Sequence, residues 1–231
     1  MIYVVSDLHG YPLDRFRKRL DAAGFGEDDF LYIIGDVIDR SGDGGAAMLA
    51  WLLEQPNIHL LLGNHEAMLL SCSFVFREIT DESIPEMAQA ESIGMLSTYL
   101  RNGGGVTLAG LKKLAPELRE DILDYLRDCP LYEAVTVNGR DFLLVHAGLA
   151  DFAPEKKLSD YSSDDLLWRS PQPGEDYFPD LMTIVGHTPT YAFGEEYRGR
   201  ALRTKTWINI DGGAGFGEEP ILLRLDDLKE C

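Results

Sequence analysis

Five short apolar runs of this chain are each followed, within two residues, by an aspartate, an asparagine or a histidine. The runs span Ile2–Val5, Phe30–Ile34, Ile58–Leu62, Phe142–Val145 and Met182–Val185. Amphipathic patterns typical of helices separate the first three runs, at 12–23 and 46–54. Short apolar runs that alternate with helices predict buried strands in an α/β layered fold.

The middle of the chain has a different pattern. From about Met68 to Asp128 helical periodicity replaces strand patterns, and we expect helices over Glu82–Arg101 and Leu114–Arg127. The segment Asn102-Gly103-Gly104-Gly105 is a helix stop between them. The sequence therefore predicts a helical insertion at about 68–128, lying over one edge of the core.

Strand patterns return after the insertion. The run Leu131–Val137 is joined to the fourth apolar run by Asn138-Gly139, a strong hairpin signal, and later strand patterns lie at 206–210 and 220–225. The chain has no internal repeat, low-complexity tract or linker-like segment. We therefore predict a single domain over residues 1–231.

The composition limits the partners and the location of the protein. A formal net charge of -18 would repel nucleic acid and anionic membranes, so we expect neither as a partner. The simplest role of this charge is to keep the protein soluble. Cys72, Cys129 and Cys231 do not form a pattern typical of disulfide frameworks or zinc knuckles. Without a secretion signal or a long apolar run, the sequence predicts a cytoplasmic protein.

The polar residues that follow the five runs are of types that bind metals. They are Asp7, His9, Asp36, Asn64, His146 and His187. Each motif alone is more often a helix cap or a satisfied core group, whereas their ordered recurrence at strand ends favours one shared site. Burying these ionisable groups together would be costly without a compensating cation. Mixed oxygen and nitrogen ligands suit Mn, Fe or Zn.

The segments around these residues resemble the signature blocks of the calcineurin-like metallophosphoesterases. The blocks are Asp7–Gly10, Gly35–Arg40, Gly63–Glu66, His146–Gly148 and Gly186–Pro189, and the likeness continues at Leu100–Gly104 and Ile208–Ala214. The sequence most closely resembles the phosphoprotein phosphatase branch, which includes small bacterial Ser/Thr phosphatases and the bacteriophage lambda phosphatase. This resemblance implies two mixed β-sheets sandwiched between helical layers, in the order α-β-β-α.

The resemblance also implies a site with two divalent metal ions, for which Mn²⁺ is the first expectation and Fe or Zn are alternatives. Asp7, His9 and Asp36 would hold one ion. Asp36 would bridge to the second ion, which Asn64, His146 and His187 would complete. In such sites a water shared by two metals attacks phosphorus in line.

Further residues acquire roles from the same resemblance. His65 would protonate the leaving group, Asp39 would orient His65, and Arg40 would bind two phosphate oxygens. Asp39 could instead cap the helix that follows it. Arg169 would be a second phosphate-binding arginine, but it follows Trp168 directly, unlike the family pattern, so an ordinary exposed arginine is an equal alternative. Trp168 itself is expected to pack within the protein rather than to stack on a substrate.

Three functions are consistent with these residues. The favoured hypothesis is a phosphomonoesterase acting on phosphorylated proteins, namely a Ser/Thr or dual-specificity protein phosphatase. The alternative is hydrolysis of a small phosphorylated metabolite, such as a dinucleoside polyphosphate. Asp39 favours the first hypothesis, because we associate the symmetrical dinucleoside-tetraphosphate hydrolases with loss of this aspartate. A non-catalytic scaffold is disfavoured, since it would not need His65, Asp39 or Arg40. Substrate specificity is expected to lie in 68–128 and 151–179.

Overall fold

The computed structural model describes residues 1–78, 80–81, 84 and 89–231, and it contains two five-stranded sheets. The first sheet has the order β10-β9-β1-β2-β3. Its strands are β1 (Ile2–Val5), β2 (Phe30–Ile33), β3 (Ile58–Leu60), β9 (Leu223–Arg224) and β10 (Lys229–Glu230). Strands β1, β2 and β3 are parallel, while β9 and β10 pair antiparallel on the β1 side.

The second sheet has the order β4-β5-β6-β8-β7. Its strands are β4 (Tyr132–Val137), β5 (Arg140–Val145), β6 (Leu181–Val185), β7 (Leu202–Arg203) and β8 (Trp207–Asn209). Strands β5, β6 and β8 are parallel, and β4 and β7 are antiparallel edges. The β4–β5 turn contains Asn138 and Gly139, both at positive φ, as the sequence pattern predicted for this hairpin.

The helices described by the structure follow local signals in the sequence. They are α1 (Leu13–Ala23), α2 (Ala46–Leu52), α3 (Asn64–Ser71), α4 (Ala90–Arg101), α5 (Gly105–Leu111), α6 (Pro116–Asp128) and α7 (Ser163–Leu167). Gly24 ends α1 in the left-handed conformation, with φ of 76°. Pro116 begins α6, where its missing N–H would have had no helical partner. Among the described residues, no helix combines the length and apolar character needed to cross a membrane.

Three apolar clusters define the layers. The first joins β1–β3 to α1, α2 and the later helices through side chains such as Tyr3, Phe16 and Leu31. The second lies between the two sheets and includes Val4 and Leu144. The third covers the outer face of the second sheet with α7 and neighbouring loops. The predicted α/β fold, with two mixed sheets between helical layers, is confirmed.

The helical insertion differs from the prediction in two respects. Tyr99, Leu111 and Ile122 are buried in the first cluster, so these helices form part of the layer on the face of the first sheet rather than lying only over an edge. The predicted helix stop over Asn102–Gly105 is one residue shorter than expected, because α5 already begins at Gly105. The start of the predicted helix over Glu82–Arg101 lies partly outside the described residues, and α4 is described from Ala90.

The parallel strands place their carboxyl ends at a common edge. A backbone hydrogen bond from Asp7 N to the Gly35 carbonyl, 3.1 Å, joins the loops after β1 and β2. Another, from Gly186 N to the His146 carbonyl, 2.7 Å, joins the loops after β6 and β5. His146, after β5, also contacts the Ile34 carbonyl directly after β2, 2.9 Å away, so the loops of the two sheets meet, as expected for ligand sites in α/β sheets.

Candidate metal centre

Asp36 lies at the middle of the polar residues that follow the parallel strands. Its Oδ2 atom is 3.6 Å from His9 Nε2 and 3.5 Å from His146 Nε2. Asp7 Oδ1 lies 3.8 Å from the same nitrogen of His9. One carboxylate oxygen thus faces histidines delivered by two different sheets.

A second group of ligand atoms adjoins the first. Asn64 Oδ1 is 2.8 Å from His146 Nε2 and 2.9 Å from His187 Nδ1. The two histidine nitrogens are themselves 3.2 Å apart. The six residues predicted as metal ligands are therefore brought together, in two groups that share Asp36. Among the described residues, two sets could each hold a metal ion: His9, Asp36 and His65, and Asp36, His146 and His187.

Backbone carbonyls fix which nitrogen of each ring faces the centre. His9 Nδ1 donates to the carbonyl of Ile38 at 3.0 Å, and His146 Nδ1 donates to that of Ile34 at 2.9 Å. In the neutral ring the other nitrogen, Nε2, then carries a lone pair. Both Nε2 atoms face carboxylate oxygens, so acceptors face acceptors, an arrangement that a cation stabilises.

Burial controls the ionisation of these groups. It lowers the pKa of His9 well below its usual value and lowers that of His187 to about 4, so both rings are neutral near pH 7. Burial and the nearby carboxylates of Glu66 and Asp7 raise the pKa of Asp36 well above its usual value. Neutral imidazoles are the form that binds metals, and a cation would offset the cost of ionising Asp36.

Asp7 gives a direct test of whether a cation fits. Its Oδ2 atom accepts hydrogen bonds from the backbone N–H of His187, 2.9 Å away, and from the Ser6 hydroxyl. Its Oδ1 atom is buried and has no hydrogen-bond partner. An unpartnered buried carboxylate oxygen beside an imidazole lone pair fits a divalent metal, and the mixed oxygen and nitrogen ligands fit Mn, Fe or Zn.

The backbone of the centre is held in an uncommon conformation. Nine described non-glycine residues have positive φ, and six of them belong to the predicted site. These six are Asp7, His9, Asp36, Asp39, Arg40 and His187, with φ between 43° and 77°. Such conformations cost on the order of 1–3 kcal/mol each and persist where the surroundings enforce them, commonly at functional sites.

Glu66 helps to hold this backbone in its uncommon conformation. Its carboxylate is fully buried and accepts from the backbone N–H groups of Asp36 (2.8 Å), Val37 (2.8 Å) and Gly63 (3.0 Å). The loops after β2 and β3 are thereby tied to α3. These contacts give Glu66 a supporting role in the loops of the centre.

His65 forms a chain of contacts beside the metal ligands. Its Nδ1 lies 2.6 Å from Asp39 Oδ2, and its Nε2 lies 3.2 Å from Arg40 Nη2. Asp39 is fully buried and does not cap α2, because Gly45 holds the N-cap position and Asp43 accepts the nearby N–H groups. Of the two interpretations of Asp39, the geometry favours the partner of His65.

Three residues in this region were missed by the sequence analysis. The Tyr99 hydroxyl donates to Asp39 Oδ1 at 2.7 Å, and the Thr107 hydroxyl contacts the same oxygen, so α4 and α5 of the insertion reach Asp39. Burial and Asp39 raise the pKa of Tyr99, which keeps it a donor. Asp211 follows β8 and is also buried, and burial together with Asp7 raises its pKa well above the usual value. Asp211 could have been found by the same rule, since it follows an apolar run.

Arg169 and Trp168 lie on the outside of the centre. Arg169 Nη2 forms an ion pair with Glu175 Oε1 at 2.7 Å, and among the described residues it makes no ion pair or hydrogen bond with the predicted ligands. The Trp168 side chain is 45% exposed, contrary to the expectation that it packs in the core. Its ring centroid is 6.2 Å from that of His187.

Comparisons with known proteins agree with this geometry. A model of the calcineurin-like phosphoesterase family matches residues 1–213. A symmetrical bis(5'-nucleosyl)-tetraphosphatase from Acidovorax sp. (strain JS42) is 30% identical over 190 residues, which cover 81% of this chain and 57% of that protein. The enzyme of the same name from Acidovorax ebreus (strain TPSY) is 29% identical over 190 residues, which again cover 81% of this chain and 57% of that protein. The chain thus spans just over half the length of these curated relatives.

One solved structure extends the likeness to the fold. A candidate diadenosine tetraphosphatase superposes with a TM-score of 0.60 and 15% identity, covering 100% of this chain and 91% of that one. At this level of identity the superposition reports on the fold alone.

The comparisons correct the favoured functional prediction. The resemblance to calcineurin-like phosphoesterases is confirmed, but the prediction of a Ser/Thr or dual-specificity protein phosphatase is wrong, because the curated relatives are symmetrical bis(5'-nucleosyl)-tetraphosphatases. The finer placement beside the bacteriophage lambda phosphatase is not supported. The motif blocks form the metal centre, and a metal centre does not determine which phosphorylated substrate enters. Asp39, which was used to choose between the two substrates, pointed away from the substrate class that these relatives are named for.

Proposed function

Since the chain belongs to the calcineurin-like phosphoesterase family, we propose that it hydrolyses dinucleoside polyphosphates, with a dinucleoside tetraphosphate as the first substrate to test. The observation that carries this proposal is the 30% identity to a symmetrical bis(5'-nucleosyl)-tetraphosphatase over 81% of the chain. The reaction would cleave a phosphoanhydride bond, and symmetrical cleavage would release two nucleoside diphosphates.

We assign the metal ligands by the family resemblance. Asp7, His9 and Asp36 would hold one divalent ion, and Asp36, Asn64, His146 and His187 the other. His65, which the geometry also places within reach of the first ion, is assigned as the acid because its Nδ1 is engaged by Asp39. When bound, two such ions would lower the pKa of a water and neutralise charge on the phosphoryl oxygens. We expect Mn²⁺ to support activity, since the mixed ligands suit it.

The chain's own groups would position the polyphosphate. Arg40 is half-buried, and its Nη2 atom lies 3.2 Å from His65 Nε2, so its guanidinium adjoins both the proposed acid and the metal ligands. A planar guanidinium can donate two parallel hydrogen bonds to phosphate oxygens. Local positive charge at Arg40 and the metals would draw a polyanion to this edge despite the net charge of -18.

His65 would supply the proton for the leaving oxygen from Nε2, which lies 3.9 Å from Asp36 Oδ2. Asp39 would hold the ring through Nδ1, which fixes its orientation. A departing phosphate oxygen is a weaker base than an alkoxide, so the need for this acid should be smaller for an anhydride than for an alkyl phosphate ester. Arg169, already paired with Glu175, would contribute little.

The proposal is tested by comparing substrates on the purified protein with Mn²⁺. A dinucleoside tetraphosphate and a phosphoserine peptide would be assayed for kcat/KM, with nucleotide products separated by chromatography. We expect the dinucleotide to be preferred on the order of 100-fold or more, which specific contacts can supply. We also expect nucleoside diphosphate as the nucleotide product. A preference for the peptide, or a metal-loaded protein that leaves the dinucleotide intact, would contradict the proposal. Asp36→Asn would reveal any contaminating phosphatase.

A further inference from the structure

A cavity of about 500 Å³ lies beside the metal centre, between α3, α4 and α7. Ala67, Met68 and Ser71 form the α3 wall, and α3 begins with the centre's own Asn64 and His65. The cavity therefore lies along this helix and begins within one turn of Asn64. Its volume lies in the range of small-molecule sites, roughly 300–1,000 Å³.

Trp168 connects the cavity to the metal ligands. Its indole lines the cavity, is 45% exposed, and meets the His187 ring edge to face, with centroids 6.2 Å apart and planes at 84°. An indole that is open on one side and anchored beside a metal ligand is a surface on which a flat ring can stack.

The other lining groups indicate the chemistry of the ligand. Met68, Met95 and Leu167 give the cavity apolar walls, while Thr98 and the carboxylates of Glu91 and Asp164 provide polar groups. The described lining residues include no lysine or arginine. This composition does not fit a phosphate group, whereas it fits an apolar ring that carries amino or hydroxyl donors. A nucleoside has this chemistry.

A second exposed aromatic ring lies at the opposite half of the centre. Phe216 is 61% exposed, and its ring centroid lies 4.8 Å from Arg40 Cζ. The neighbouring Gly215 packs so closely on His9 that a Cβ there would lie 2.6 Å from His9 Cδ2. Trp168 thus flanks the half-site of His187, and Phe216 flanks the half-site of His9 and the proposed phosphate clamp.

We infer that these two rings bind the two nucleobases of the substrate, with the polyphosphate lying across the metals and Arg40 between them. One nucleoside enters the cavity and stacks on Trp168, where Glu91 and Asp164 accept from its amino and hydroxyl groups. The other nucleobase stacks on the open face of Phe216. This inference rests on the proposed function, because only a substrate with a nucleoside at each end would use both rings.

The test separates recognition of the nucleoside from recognition of phosphate. Trp168→Ala, Trp168→Phe and Phe216→Ala would be assayed on a dinucleoside tetraphosphate and on inorganic tripolyphosphate, with metal content measured for each variant. We expect Trp168→Ala to raise KM for the dinucleotide about 10-fold, as base–aromatic stacking allows, and to raise KM for tripolyphosphate far less. Trp168→Phe should restore most of the affinity, and Phe216→Ala should have a smaller effect, since Phe216 has no cavity around it.

Phe30→Ala is the matched control. Phe30 is 45% exposed, like Trp168, but it lies on β2 and stacks on His59, with centroids 6.1 Å apart. We expect Phe30→Ala to leave KM and kcat unchanged for both substrates. Equal changes in KM for both substrates in Trp168→Ala, or no change for either, would overturn the inference.

Direct binding distinguishes failure of this site from failure of the proposed function. A methylene-bridged, non-hydrolysable dinucleoside tetraphosphate would be titrated while tryptophan fluorescence is recorded. We expect quenching that is lost in Trp168→Ala, because Trp207 is fully buried and Trp51 packs on Phe16 in the first apolar cluster and does not line the cavity. A protein that shows this quenching but does not hydrolyse the natural dinucleotide contradicts the proposed function alone. A protein that hydrolyses the dinucleotide with the same quenching in Trp168→Ala contradicts the site alone.

Discussion

The floor and the rim of the candidate site are made in different ways. The floor consists of the six proposed ligands, Asp7, His9, Asp36, Asn64, His146 and His187, and its central Asp36 and His146 side chains are at most 1% exposed. The rim consists of Trp168 and Phe216, which are 45% and 61% exposed. Floor residues are held by strand ends, backbone carbonyls and Glu66. The rim residues lie elsewhere: Trp168 directly follows α7, and Phe216 ends a short 3-10 helix.

This difference separates chemistry from specificity. Positive φ at four of the ligands and at Asp39 and Arg40 is maintained only because many contacts surround the floor. The rim needs no such support, so its residues can differ between proteins that share the floor. The sequence motifs that contain the floor residues therefore identify the type of reaction. In our proposal the substrate depends on rim side chains, which are not metal ligands.

The largest effect should come from breaking the floor at Asp36, the residue shared by the two ligand groups. We expect Asp36→Asn to lose bound metal at both positions and to lower kcat/KM by more than about 10³-fold, the upper range for removing one electrostatic stabiliser. Metal content by mass spectrometry and steady-state kinetics would measure this. Asp14→Asn, at an exposed position on α1, should behave like the wild type. Full occupancy of both positions in Asp36→Asn would rule out the bridging role.

Metal removal should weaken the floor without altering the rim. Buried carboxylates and imidazole lone pairs face one another there, so the metal-free protein should be less stable. Binding at 100 times Kd contributes about 2.7 kcal/mol. For a chain of this size that amount corresponds to a Tm shift of roughly 5–10 °C. Thermal unfolding with and without a chelator would measure the shift. In Asp36→Asn the chelator should cause almost no shift in Tm. A wild-type Tm that the chelator leaves unchanged would contradict a metal-stabilised floor.

A smaller effect should come from the contact between the helical insertion and Asp39, which holds His65 beside the floor. Tyr99→Phe removes one of the donors to Asp39, and the net value of such a hydrogen bond is about 0.5–1.5 kcal/mol. We expect kcat to fall several-fold while KM and metal content stay near the wild-type values. A kinetic profile with leaving groups of different basicity would show the loss mainly for the more basic ones. An equal loss for all leaving groups would indicate a structural defect.

The smallest effect is expected at Arg169, which lies outside both regions. Its guanidinium is paired with Glu175 at 2.7 Å, and exposed ion pairs contribute roughly 0–1 kcal/mol. We expect Arg169→Ala to change kcat/KM by less than the Trp168→Ala variant does. A loss as large as that of Arg40→Ala would instead place Arg169 at the phosphate, as the sequence analysis allowed.

The sequence predicted the location of site residues where a single physical rule, the position of strand ends at a sheet edge, applies to each residue. Residues that follow neighbouring parallel strands of one sheet meet at one edge, so Asp7 could be placed beside Asp36 without knowledge of the fold's details. His146 follows a strand of the second sheet, and its place beside Asp36 depends on how the two sheets face each other. The short strands β7 and β10 were missed, because two-residue strands leave no periodic pattern. The contacts of Tyr99 and Thr107 with Asp39 join positions 60 and 68 residues apart. No local pattern carries that information.

The exposed position of Trp168 also escaped prediction. A tryptophan in an apolar segment such as Leu166-Leu167-Trp168 is usually interpreted as core, and its two leucine neighbours are indeed buried. Whether the third side chain turns inward depends on where α7 ends, and α7 ends at Leu167. The substrate was mispredicted for a related reason, since the residues that we propose contact the nucleobases come from segments far apart in the chain, namely α4, α7 with Trp168 after it, and the segment around Phe216.

Anomalous scattering from crystals grown with Mn²⁺ would locate the bound ions directly. We expect two peaks in each chain, one contacted by Asp7, His9 and Asp36, and the other by Asp36, Asn64, His146 and His187. Both peaks should disappear in Asp36→Asn crystals. A single peak that leaves Asn64 and His187 without a metal contact, or peaks only at other positions, would contradict a two-ion floor.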